Sequence, residues 1–182
     1  VKVIETNILD VKIIEPQIYF DERGFFFESF NQDKFHSATG ISVDFVQDNH
    51  SKSSMGVLRG LHYQLEPSAQ AKLVRCISGA IFDVAVDIRK SSPTFGKWVG
   101  VELSSENKRQ IWIPEGFAHG FLTLTDNTEI VYKTNNYYDS KLERSIIWDD
   151  AILNIQWPKT ENIIISDKDT QGKKINEAEL FT

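Results

Sequence analysis

Ile81-Phe82-Asp83-Val84-Ala85-Val86-Asp87-Ile88 alternates with period two over its whole length. Successive side chains of a strand project to opposite faces, so Phe82, Val84, Val86 and Ile88 share one face and Asp83, Ala85 and Asp87 the other. The segment reads as a strand with a dry face and a polar face. Comparable runs occur at 24–30, 57–64, 72–78, 98–103, 110–114, 117–125 and 129–138. Turn signals break them at Ser78-Gly79, Ser91-Ser92-Pro93, Ser104-Ser105-Glu106-Asn107 and Asp126-Asn127. The best short helix runs from the N-cap candidate Asn31 to the terminating Gly40. From Asn162 onward, Ile163-Ile164-Ile165 reads as a final strand, and the polar stretch after it as a tail lying on the body. Many short strands with close turns and few helices imply a mainly β protein, a sandwich or small barrel of which the jelly roll is one standard solution. No linker, repeat or low-complexity block divides residues 1–182, so one domain is expected.

Composition narrows the partners. A formal net charge of −6 opposes the long-range attraction to phosphate on which nucleic-acid binders depend. No apolar run approaches the ~20 residues of a membrane helix, and no secretory segment is apparent, so a cytoplasmic protein without a membrane partner is expected. The Asn49-His50-Ser51 glycosylation triplet is discounted on the same ground. Cys76, the single cysteine, lies among Leu73, Val74 and Ile77 and reads as a buried, inert thiol.

The chemistry centres on Arg59-Gly60-Leu61-His62-Tyr63-Gln64, followed by Lys72, and on Pro114-Glu115-Gly116-Phe117-Ala118-His119-Gly120-Phe121. His36, on the helix, and His50, in a polar run, read as surface or structural residues. For His62 and His119 a satisfied core histidine and a functional one are both open, and their joint appearance raises the functional reading. Cupin-type barrels commonly hold a metal with three histidines and a carboxylate, but Gln64 occupies the place of the second histidine of a His-x-His pair. A metal-free site is therefore expected. A neutral imidazole can remove a carbon-bound proton next to a carbonyl if the developing enolate oxygen is stabilised, and Lys72 is a candidate for that. Tyr132 alternates onto one face with Ile130 and Thr134; it reads either as barrel-wall packing or as an acid that returns a proton to the other side of the carbon.

Taken together, Arg59-Gly-Leu-His-Tyr-Gln64, Lys72, Phe82-Asp-Val-Ala-Val-Asp-Ile-Arg89, Ser92-Pro-Thr-Phe-Gly-Lys-Trp98, Ile113-Pro-Glu-Gly-Phe-Ala-His-Gly-Phe121 and Tyr132-Lys-Thr134 resemble the dTDP-4-dehydrorhamnose 3,5-epimerase family. The resemblance runs from about Ile14 through Pro158, with further agreement at Ser166-Asp-Lys-Asp169. It implies a cupin-type double-stranded β-helix that works as a homodimer without a cofactor. The implied reaction converts dTDP-4-dehydro-6-deoxy-D-glucose to dTDP-4-dehydro-L-rhamnose by inverting C3 and C5, the two carbons flanking the C4 ketone. One alternative is inversion at one carbon only, or movement of the ketone between C4 and C3, on a related nucleotide ketosugar. Another is a non-catalytic sugar-nucleotide-binding cupin, against which the joint presence of base, acid and oxyanion partner argues.

By the family pattern His62 is the base, Asp169 the carboxylate that holds its tautomer, Tyr132 the acid and Lys72 the partner of O4. Spacing alone leaves Asp83, Asp87 and Asp167 as equal contenders for the carboxylate. Arg23 and Arg59 match positions that bind the pyrophosphate, which suits a bidentate guanidinium. Glu28, Gln47, Asp48, Asn49, His119, Glu143 and Lys168 match further binding positions, and Tyr138 the aromatic that stacks on thymine. The segment from Phe20 to Glu28 is expected to reach into the neighbouring subunit's site. The tail Thr170-Gln171-Gly172-Lys173-Lys174 departs from the family's proline-containing turn.

Ideal pleating would set Arg59 and His62 on opposite faces, yet one ligand is asked of both. A bulge or bend at Gly60 that re-aims Arg59 is the expected solution.

Overall fold

A computed structural model describes residues Val1–Thr182, which form thirteen strands and two short helices. The strands are β1 (Lys2–Glu5), β2 (Lys12–Glu15), β3 (Ile18–Asp21), β4 (Gly24–Phe27), β5 (Gln47–Ser53), β6 (Leu58–Gln64), β7 (Lys72–Ser78), β8 (Ala80–Asp87), β9 (Trp98–Ser104), β10 (Gln110–Ile113), β11 (Phe117–Thr123), β12 (Thr128–Thr134) and β13 (Glu143–Ser145). The helices are α1 (Gln32–Thr39) and α2 (Asp167–Thr170). A six-stranded sheet has the order β1-β2-β10-β7-β12-β5 and a five-stranded sheet the order β13-β6-β11-β8-β9, while β3 and β4 form a separate hairpin. Every strand pairing in them is antiparallel. This is the jelly-roll architecture. No helix is long and apolar enough to cross a membrane.

The two sheets face each other across a core that draws Val74, Ile111 and Ile130 from one and Ile81, Ala85, Val101 and Phe121 from the other. β8 thus turns its Ile81-Asp83-Ala85-Asp87 face inward. Its second face is equally buried: Val84, Val86 and the following Ile88 pack with Leu61 and Ala118 beneath Ile146, Leu153, Ile175 and Leu180 of the closing segment. Fully burying one such side chain contributes about 1.5–3 kcal/mol, so this outer layer stabilises the barrel as the inner one does. The face with the aspartates is therefore the barrel interior rather than a wetted surface, with Asp83 and Asp87 both fully enclosed.

The expected final strand at 163–165 is reduced to one parallel bridge between Ile164 and Val57. The reason is steric: β11 pairs along one side of β6 and β13 holds residues 62–64 on the other, leaving only the start of β6 uncovered. The tail beyond it does lie on the body, as its share in the outer apolar layer shows. α1 forms where expected, with the Asn31 side chain accepting from the Lys34 N–H and Gly40 closing it at φ 73°. Its Phe35 packs edge-on to Trp112 at 5.5 Å, covering the outer face of the six-stranded sheet together with Ile14 and Leu73. The β3–β4 hairpin has no such cover, and Phe20 and Phe26 are 74% and 71% exposed.

Candidate active site

Register settles which side chains meet inside the barrel. On β11, His119 lies opposite His62 of β6, and Phe121 lies opposite Arg59. Directly opposed residues project to one face, and residues two apart on a strand do so too. Because Phe121 is part of the core between the sheets, His119, His62 and Arg59 all face inward. Two residues of β6, Gly60 and Leu61, thus lie between these pairs against one of β11, Gly120, an irregularity that falls at Gly60, whose φ is 119°. The expected bend is present at the expected glycine.

His62 Nε2 lies 2.5 Å from Asp169 Oδ1. Asp169 reaches it because α2 begins just before: the Ser166 side chain caps the helix by accepting from the Asp169 N–H, which fixes that residue's backbone. The second carboxylate oxygen accepts from the Gly60 N–H at 3.3 Å. Burial works to raise the Asp169 carboxyl, but the hydrogen bond and charge of His62, helped by Gly60 and Ser166, hold it below the ordinary carboxylate value. A carboxylate on Nε2 leaves Nδ1 as the ring atom free to take a proton. The other contenders are committed elsewhere: Asp83 accepts from His119 Nε2 at 2.9 Å, Asp87 binds Arg89, Ser92 and Thr94, and Asp167 is exposed.

The facing sheet supplies the complementary groups. Lys72 opens β7 on the face shared with Val74 and Cys76, and burial brings its ammonium down to about 8 against the pull of Asp83 and Glu143. Tyr132 packs against the inner core from β12; burial raises its phenol, and the nearby Arg59 charge opposes that. His119 is held below its ordinary value by burial, against Asp83. An imidazole–carboxylate pair on one sheet and a phenol and an ammonium on the other can therefore be directed at one substrate.

The rim carries the polar groups. Glu143 accepts from Tyr138 Oη at 2.8 Å and from Lys168 Nζ at 2.5 Å. Gln47 and Asn49 share the inward face of β5 opposite Thr134 and Tyr132, with Gln47 Nε2 donating to Asn49 Oδ1 at 3.0 Å. Arg59 donates to Ser53 Oγ at 3.2 Å, a partner that no sequence signal singles out. Asp48 alternates to the outer face of the sheet and pairs with Lys133. Phe20 and Arg23 sit on the uncovered hairpin, Arg23 bound only to Asp21, and Glu28 binds Asn31 and Lys34. Within one chain these last three do not join the site.

His50 is exposed and bonded to Glu129, and His36 is exposed on α1. Cys76 is free and buried, its thiol pushed up to about 11 by burial. The buried Gln64 amide donates to the carbonyls of Ser68 and Tyr137 and accepts from the Asp139 N–H, tying loops together at the barrel mouth. No three His, Cys, Asp or Glu side chains gather in a metal-binding arrangement.

Fold and site together define a cupin-type jelly roll whose interior gathers His62, His119, Lys72 and Tyr132. Residues 5–177 match the family model described as dTDP-4-dehydrorhamnose 3,5-epimerase. The dTDP-4-dehydrorhamnose 3,5-epimerase of Shigella flexneri is 66% identical over 179 residues, covering 98% of both chains. The crystal structure of the dTDP-6-deoxy-D-glucose-3,5-epimerase RmlC from Legionella pneumophila Philadelphia 1, in complex with dTDP-4-keto-L-rhamnose, superposes with a TM-score of 0.95 at 53% identity, covering 98% of this chain and 94% of that one. ChmJ, a 3′-monoepimerase from Streptomyces bikiniensis, shares the fold at a TM-score of 0.89 and 35% identity, covering 94% of this chain and 87% of that one. The chain belongs to the dTDP-4-dehydrorhamnose 3,5-epimerase family. It is an epimerase, and so an isomerase.

Proposed function

We propose that this epimerase inverts both C3 and C5 of dTDP-4-dehydro-6-deoxy-D-glucose, giving dTDP-4-dehydro-L-rhamnose, by acid/base chemistry through an enolate and without metal or cofactor. His62 removes the proton from each carbon in turn, with Asp169 holding its tautomer and stabilising the imidazolium. Lys72 donates to O4 as the negative charge develops there. Tyr132 then returns a proton to the opposite side of the carbon, so that removal and return on different faces invert the centre. His62 gives its proton to water and Tyr132 takes one from water before the second carbon reacts. The observation that carries the reading is the placement of His62 and Tyr132 on facing sheets, both turned into one barrel.

For the nucleotide end, Arg59 and the partner-borne Arg23 are assigned to the pyrophosphate and Tyr138 to the thymine ring. Gln47, Asn49, His119, Glu143 and Lys168 line the approach, and Asp48 contributes from the neighbouring backbone position. The exposed Phe20 and Arg23 suit a homodimer in which the β3–β4 hairpin and the residues up to Glu28 complete the other subunit's site. Such a substrate belongs to the cytoplasmic pool of activated sugars, which is where we place the enzyme.

Inversion at a single carbon is the second reading, favoured by the likeness to ChmJ, although at lower identity than the relatives named for 3,5-epimerisation. Proton NMR of the product decides between them. Ring coupling constants of the L-lyxo sugar establish the double inversion, and those of a sugar altered at one carbon establish the single one.

A further inference from the structure

Asp83 is completely enclosed in the barrel, yet only one of its two carboxylate oxygens is engaged. Oδ2 accepts from His119 Nε2, while Oδ1 is the one buried side-chain oxygen or nitrogen with no hydrogen-bond partner. Leaving a buried acceptor unpaired costs about 1–3 kcal/mol, and a well-packed apolar side chain commonly serves stability better than a buried charge. Its inward neighbours on β8, Ile81 and Ala85, belong to the apolar core. Stability therefore does not account for a carboxylate here.

What it faces does. Lys72 is buried as well, on the inward face of β7 shared with Val74, while Asp83 lies on the inward face of β8 between Ile81 and Ala85, so that both stand in one barrel interior. The charges that act on Lys72 there are those of Asp83 from β8 and Glu143 from β13, and Lys72 in turn acts on His119 from β11. Asp83 is the foremost influence that offsets the burial of the Lys72 ammonium, acting through its charge rather than through a hydrogen bond. Sealed from solvent, Oδ1 is out of reach of a substrate.

Resting on the reading of Lys72 as the donor to the developing oxyanion, we propose that Asp83 is a positioning residue that keeps Lys72 cationic inside the closed barrel and fixes the His119 ring beside it. The carboxylate acts on the reaction only through these two side chains.

The test is Asp83→Asn, which preserves shape and an acceptor for His119 while removing the charge. Lysine labelled at Cε and Nζ reports the Lys72 titration by NMR without any turnover. Its midpoint is expected to fall by about one pH unit. The alkaline limb of the kcat profile should shift down with it, lowering kcat near pH 8 about fivefold with KM within about twofold. In a Lys72→Met background the added Asp83→Asn should change kcat little, because the amide keeps the acceptor for His119 and the lost charge acts only through Lys72.

An unchanged Lys72 midpoint and pH profile in Asp83→Asn would overturn the proposal. So would a protonated Asp83 carboxyl at pH 7 in the wild type, read from its Cγ shift, which needs no variant to fold. Failure of the underlying reading looks different: Lys72→Met would retain full activity, and the titration of Lys72 would still decide what Asp83 does.

Discussion

Gly60 and Gly120 stand back to back where β6 crosses β11: a Cβ built on Gly60 would lie 2.6 Å from Gly120 Cα, and one on Gly120 would lie 2.7 Å from the Arg59 carbonyl oxygen. That contact permits the irregular register that turns Arg59 and His62 into the same cavity. Gly60→Ala meets both the backbone clash and a φ that L residues rarely adopt, so a loss of about 2–4 kcal/mol is expected. Urea unfolding of the variant gives the number. A fall in kcat/KM beyond what the unfolded fraction explains would show that the bend also aims the site.

Asp169→Asn keeps the size of the side chain but removes the carboxylate bonded to His62 Nε2, which in the proposed mechanism selects the tautomer of the base. A loss of about 10²–10⁴ in kcat is expected, with the native circular dichroism spectrum retained. Steady-state rates at saturating nucleotide sugar measure it.

The fold was legible because apolar alternation on β6 to β12 is strong, and because the cap and glycine of α1 are local signals. β5 was not, since Gln47-Asp48-Asn49-His50-Ser51-Lys52-Ser53 is polar on both faces and carries no apolar period. Nor was the second dry layer on β8, because its cover, Ile146 to Leu180, lies far along the chain. The site divides in the same way. His62, His119, Lys72 and Tyr132 stand in readable strands. The choice of Asp169 over Asp83 or Asp87 rests on a contact across 107 residues that spacing does not report, and only the family resemblance supplied it.

Asp87 should govern acid stability. Burial works to raise it, yet Arg89, Ser92 and Thr94 bring it down to about 2. A carboxyl held below its unfolded value contributes stability that is fully present above about pH 4 and is lost as pH falls toward 2, here about 2–3 kcal/mol. Asp87→Asn should lower the Tm at pH 7, and its difference from wild type should shrink steadily between pH 4 and pH 2 in calorimetric scans.

If the β3–β4 hairpin completes a neighbouring site, two inactive variants should rescue each other. In a mixture of Arg23→Ala and His62→Ala subunits, half of the dimers are heterodimers, each with one intact site. About a quarter of wild-type activity is then expected after subunit exchange. No recovery, with mixed dimers confirmed by native mass spectrometry, would place Arg23 in its own subunit's site or outside both.

The most direct test of the whole account is solvent deuterium incorporation followed by NMR, on dTDP-4-dehydro-6-deoxy-D-glucose with a metal chelator present. Wild type is expected to place deuterium at both C3 and C5 and His62→Ala at neither, while Tyr132→Phe should still exchange but invert far more slowly. Deuterium at both carbons with His62→Ala, or exchange that stops when the chelator is added, would contradict a metal-free mechanism in which His62 is the base.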